Sequence, residues 1–167
     1  MKKDISPQGY IDEDVIKLLD KINSKKDYAT TSSCSGRIVL IKSKGKKGKA
    51  KWIFKSHKEV KINDLWNAFK KTKGKIWLLQ EPMILHVKCK NKKSAQRLLN
   101  LCNKVGLKLS GVKSLKTYTV EIRGTERLEI LLDKKYVNKK FLKILLEEAN
   151  KNLRKTKERL KKLTNLF

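Results

Sequence analysis

The chain has 167 residues, with 43 Lys and Arg against 16 Asp and Glu, a net charge of +27 and a hydrophobic fraction of 39%. That length suits a single domain spanning residues 1–167 with a core of its own, and the apolar content argues against a disordered basic tail. No apolar run approaches the roughly 20 residues of a membrane span, the start MKKDISPQGYIDED lacks the apolar centre of a signal peptide, and Cys34, Cys89 and Cys102 form no CxxC pair, so a cytoplasmic protein without a zinc or disulfide framework is expected.

In chain order, residues 12 to 24 read as a helix, with acids in the first turn and Ile11, Val15, Leu19 and Ile22 on one face. Strands follow at 36 to 43 and 50 to 57, separated by the turn-prone GKKG at 45 to 48, which makes a basic hairpin. Asn63 is placed to cap a helix that buries Leu65, Trp66 and Phe69 and stops at Gly74. Strands at 75 to 80 and 83 to 89 flank Pro82. Asn91 caps the next helix, whose apolar positions Ala95, Leu98, Leu99, Cys102 and Val105 lead to Gly106. Shorter strands come near 107 to 113, 117 to 123 and 127 to 132. From Asn138 the chain is helical, with a stripe of Phe141, Leu142, Leu145, Ala149 and Leu153 that thins to Leu160, Leu163 and Phe167. Its last dozen residues read as a projecting basic helix, either a solvated face or a phosphate-tracking arm. This order gives an α+β fold: one domain with a largely antiparallel mixed sheet packed with helices and a long C-terminal helix.

Charge is uneven along the chain. Five acids and three lysines share the first 20 residues, whereas residues 42 to 58 hold eight lysines and no acid, and residues 88 to 116 hold nine basic side chains and no acid. Basic surfaces of this kind call for an anionic partner. Nucleic acid fits dispersed lysines through phosphate contacts and counterion release, with a membrane surface as the rival. In the hairpin, Lys46, Lys47, Lys49 and Lys51 suit RNA phosphates, Trp52 is a stacking candidate, and His57 at its end is a further RNA contact. Trp66 reads as core.

The stretch TTSSCSGR at 30 to 37 is free of lysine. It reads either as a polar loop before a strand or as an anion-accepting concavity of hydroxyls and N–H groups near Gly36, to which Arg37 adds a bidentate grip. Neither GKKGK nor GLKLSG has the GxGxxG arrangement after a buried strand, so a Rossmann-like nucleotide site is not expected.

With DISPQGYID at 4 to 12, TTSSCSGRI at 30 to 38, SH at 56 and 57, EPMILHV at 81 to 87, GLKLSGV at 106 to 112 and IRGTERLEILL at 122 to 132, nearly the whole chain resembles the tRNA wybutosine-synthesising methyltransferase family. It departs from the family after Glu129, where a proline is common and this chain reads Ile130 and Leu131. The resemblance implies S-adenosylmethionine as cofactor; no metal and no membrane partner are expected. It implies methylation at N4 of the tricyclic 4-demethylwyosine-type base at position 37, with the anticodon arm of tRNA-Phe as partner. A noncatalytic basic RNA-binding or tRNA-chaperoning module is the alternative.

The resemblance also distributes roles. Ser32, Ser33, Ser35, Gly36 and Arg37 go to the cofactor or a phosphate, and Ser110 and Gly111 offer a second close backbone approach. Arg123 and Glu129 either pair with each other or hold the methionine end or ribose of the cofactor. Asp4, a carboxylate in a family motif, is the first choice for base or amino-group anchor. His86, in a strand between Leu85 and Val87, is the second catalytic candidate, because histidine suits proton transfer near neutrality. Cys34 lines or packs the site, since an attacking nitrogen needs no covalent enzyme adduct.

Overall fold

The structure is a computed structural model and describes residues 11–42 and 50–167. Asp4, Lys46, Lys47 and Lys49 therefore lie outside the described residues. The chain forms two compact units, one drawn from the stretches up to Ser35, Pro82–Thr125 and Thr156–Phe167, the other from Gly36–Glu81 and Glu126–Lys155. Each is built on a four-stranded sheet, and every ladder among the described strands is antiparallel. No helix among the described residues is long and apolar enough to cross a membrane.

Unit one contains α1 (Glu13–Asn23) and β1 (Tyr28–Cys34). In the second unit lie β2 (Arg37–Lys42), β3 (Lys51–Ser56), α2 (Ile62–Lys71) and β4 (Ile76–Glu81). The chain then gives unit one β5 (Ile84–Cys89), α3 (Lys92–Lys104), β6 (Gly111–Ser114) and β7 (Thr119–Arg123) before β8 (Leu128–Leu132) returns to unit two. The final helix α4 (Lys139–Leu166) serves unit two up to Lys155 and unit one from Thr156.

In unit one the strand order is β1-β5-β7-β6. Alternation puts Leu85 and Val87 of β5 and Val120 and Ile122 of β7 on the core face. They pack with Leu18 and Ile22 of α1, Leu98 and Cys102 of α3, and Leu160 and Leu163 of α4. Helix α3 starts on a reciprocal cap: Asn91 Oδ1 accepts from the Ser94 N–H and Ser94 Oγ from the Asn91 N–H, both at 3.0 Å. It ends at Gly106, whose φ of 82° is the left-handed conformation that a helix C-terminus favours and glycine adopts without strain.

In unit two the order is β3-β2-β4-β8, and Ile38, Leu40, Ile76, Leu78 and Leu132 face a core completed by Leu65 and Phe69 of α2 and Leu142, Leu146 and Leu153 of α4. Asn150 ties α4 to the segment before α2, accepting from the Val60 N–H at 2.9 Å and donating to its carbonyl at 3.0 Å.

The structure changes four expectations. The stretch 30 to 34 belongs to an edge strand, β1, rather than to a loop; its side chains are mostly half-buried on both sides, so no apolar alternation announced it. Helix α2 is preceded by Lys61 as cap rather than Asn63. Strand β6 begins only at Gly111, because residues 107–110 turn. The last dozen residues do not project: Leu160 and Leu163 are buried in the unit-one core, Phe167 meets Tyr28 edge-on at 6.1 Å, and Lys21 Nζ donates to the Thr164 carbonyl at 2.7 Å.

Candidate active site

The face of the unit-one sheet turned away from its core carries a polar row. Register pairs Ser32 of β1 with His86 of β5, His86 with Glu121 of β7, and Glu121 with Gly111 of β6, and laterally paired residues point to the same side. Ser32 Oγ lies 2.8 Å from His86 Nδ1, and His86 Nε2 lies 3.1 Å from Glu121 Oε2. In the neutral tautomer that carries its proton on Nε2, the ring donates to Glu121 and Nδ1 accepts from the Ser32 hydroxyl. Glu121 is only 8% exposed, and its other oxygen takes Lys113 Nζ at 3.2 Å, so the buried acid is satisfied on both sides. The next row on this face holds Cys34, Ile84 and Arg123. The sheet thus gathers Ser32, His86, Arg123 and Gly111 from four strands.

Ser110 supports this face through its hydroxyl, which accepts from the Arg123 N–H at 3.1 Å. Gly111 is open, since a Cβ there would meet nothing within 4 Å. The donor set fits a methionine-type ligand: Arg123 offers a cation for a carboxylate, Ser32 offers a hydroxyl, and Gly111 leaves backbone accessible. Ser33 stands apart, because it pairs with Leu85 and so shares the core-facing side. Ser35 is completely buried. Its N–H donates to Asp12 Oδ2 at 2.8 Å and its Oγ accepts from Lys157 Nζ at 2.6 Å, while Lys157 also pairs with Asp14 at 2.5 Å. That network holds the end of β1 in place.

The remaining expected residues lie in unit two. Gly36 has φ 91°, a conformation glycine reaches without strain. Arg37 Nε contacts Glu81 Oε2 at 2.5 Å and the guanidinium lies 4.5 Å from the centre of the Trp52 ring, a cation–π stack beside an ion pair. His57 Nδ1 is 3.0 Å from the Gly36 carbonyl. Glu129 pairs with Arg127 rather than Arg123, which settles the pairing left open by the sequence. Lys51 and Trp52 are exposed on β3.

Glu121 escaped the sequence reading. Its signal was an acid between Val120 and Ile122, whose alternation sets it on the face opposite the core; only the β5–β7 register reveals that this is the face of His86. Burial pushes the Cys89 and Cys102 thiols up to about 11, so both are neutral structural groups.

Comparison with known proteins bears on this arrangement. Residues 1–167 match the protein family described as Methyltransferase TYW3. A protein of Pyrococcus furiosus named tRNA(Phe) 7-((3-amino-3-carboxypropyl)-4-demethylwyosine(37)-N(4))-methyltransferase 1 is 44% identical over 164 residues, covering 93% of this chain and 84% of its own. A Methanocaldococcus jannaschii protein carrying the same name without the final numeral is 35% identical, covering 95% and 86%. Among solved structures, one from Pyrococcus horikoshii superposes with a TM-score of 0.89 at 42% identity, covering 95% of this chain and 86% of that one. Another, from Aeropyrum pernix, gives 0.81 at 25% identity, covering 93% and 96%.

Proposed function

Because the chain belongs to the Methyltransferase TYW3 family, we propose that it transfers a methyl group from S-adenosylmethionine to N4 of the 4-demethylwyosine-type base at position 37 of tRNA-Phe, with residues 1–167 working as one tRNA-modifying domain. The relatives' names support the substrate, and the Ser32–His86–Glu121 row supports the chemistry.

S-adenosylmethionine, when bound, supplies an electrophilic sulfonium methyl to the nitrogen lone pair and departs as a neutral thioether. The protein's task is to align the nitrogen and to remove its proton. Alignment is the larger contribution; general-base help adds on the order of 100- to 10,000-fold. As the N–C bond forms, Ser32 Oγ accepts the proton from the nitrogen and passes its own to His86 Nδ1. The resulting imidazolium is held by Glu121, whose carboxylate already accepts from Nε2. Lys113 keeps Glu121 turned toward the ring. Arg123 would hold the carboxylate end of the cofactor, and the Ser110 hydroxyl fixes the Arg123 backbone by accepting from its N–H.

The observation that carries this reading is the 2.8 Å contact between Ser32 Oγ and His86 Nδ1 on an accessible sheet face. Methyl transfer to precursor tRNA by wild type and by His86→Ala tests it. Loss of transfer with cofactor and tRNA binding intact is expected. A His86→Ala protein that transfers at the wild-type rate would remove the role of the row.

A further inference from the structure

The second sheet also has a face turned away from its core, and its register puts an apolar row across all four strands. Trp52 of β3 pairs with Ile41 of β2, Ile41 with Trp77 of β4, and Trp77 with Leu131 of β8. Alternation sets the row on this side, since Leu40, Ile76, Leu78 and Leu132, the strand neighbours of Ile41, Trp77 and Leu131, are buried in the core. Trp52 and Leu131 remain 44% and 43% exposed at its two ends, and Ile41 and Trp77 are half-buried between them. One row further along, Val39 is fully covered and Leu79 is half-buried.

A monomer gains nothing from leaving Trp52 and Leu131 in water. The surroundings identify what covers them. Arg37 stacks on the Trp52 ring, Lys51 and Lys55 on the same strand are exposed, and the acids on this face, Glu81 and Glu129, are already paired with Arg37 and Arg127. An aromatic row with its acids neutralised, in a chain of charge +27, suits a ligand with flat apolar faces and an anionic backbone. Unpaired nucleotides have that combination, and aromatic side chains on the open face of a sheet stack successive bases; here Trp52 and Trp77 flank Ile41 of the intervening strand β2.

We infer that the Trp52–Ile41–Trp77–Leu131 row is a stacking platform for unpaired bases of the substrate RNA. This rests on the reading that the substrate is a tRNA. The Arg37 stack fixes the indole before RNA arrives, so little side-chain freedom is lost on binding. Stacking is indifferent to base identity, so the platform contributes affinity and leaves selection of the modified base elsewhere.

Fluorescence anisotropy with an unmodified anticodon stem-loop and the full chain tests the inference. Trp52→Ala is expected to weaken binding roughly tenfold with an unchanged salt dependence, and Trp52→Phe to recover most of the loss. Lys51→Ala instead lowers the slope of affinity against salt. With abasic nucleotides in the loop, the Trp52→Ala penalty is expected to shrink, because no base face remains to stack. An equal penalty on the abasic loop, or wild-type affinity in Trp52→Ala, would overturn the platform. A wild-type protein that binds the loop in this Trp52-dependent way yet transfers no methyl would sink the proposed activity and leave the platform standing.

Discussion

The two sheets share a plan, four antiparallel strands with one face in a helical core, and differ on the other face. In unit one that face is hydrogen-bonded end to end, from Ser32 through His86 and Glu121 to Lys113. In unit two it is apolar from Trp52 to Leu131, with charge only at its margins. A fully satisfied polar row holds its groups in one geometry, as proton movement requires, because each unmade bond at a buried acid is costly. An apolar row tolerates many partners, as attachment to successive bases requires. On the proposed roles, one backbone architecture serves a reactive surface in one place and an adhesive one in another, and only the residues at outward positions distinguish them.

Substitutions separate these roles. The largest effect is expected from His86→Ala, with methyl transfer falling by about 100-fold or more while RNA affinity stays near wild type. Glu121→Gln is expected to follow it with a smaller loss, since the ring keeps Ser32 but loses its charge partner; single-turnover rates measure both. Next comes Trp52→Ala, which at saturating RNA leaves the rate near wild type and shows its roughly tenfold cost only in affinity. If Trp52→Ala lowered the saturated rate and His86→Ala only the affinity, the division of labour between the sheets would be reversed. Lys51→Ala is the smallest of the binding effects, a reduction of about one in the salt slope.

A stability measurement examines the core beneath the reactive face. Folding raises the Cys89 and Cys102 thiols from the ordinary 9.0 to about 11. Between those values the unfolded chain has lost protons that the folded chain retains, so stability falls as pH rises through this window, by up to about 1.4 kcal/mol per pH unit for the deeply buried Cys102. Cys102→Ala is expected to flatten that alkaline slope in denaturant titrations. An unchanged slope would mean the thiol is not sequestered.

Much of this was legible in the sequence, and the omissions have physical causes. The amphipathic helices and the apolar β2, β4 and β5 follow from periodicity, and the Asn91 cap from its chemistry. Strand β1 was hidden because Thr and Ser fit a half-buried edge without apolar alternation. His86, Ser32, Arg123 and Gly111 were named individually, but their convergence depends on the order β1-β5-β7-β6, which no local pattern encodes. Glu121 and Lys157 were missed for the same reason: each acquires its role from a partner distant in the chain. The projecting C-terminal arm failed because the thin spacing of Leu160 and Leu163 does not disclose that the helix continues onto a waiting core.

The most direct test follows the proton. Single-turnover methyl transfer to precursor tRNA by wild type and His86→Gln isolates it, because glutamine can bond Ser32 and Glu121 but cannot take up a proton. A relay through Ser32 to His86 predicts a variant slower by about 100-fold or more, with affinity for precursor tRNA near wild type. A His86→Gln enzyme with the wild-type rate would contradict it.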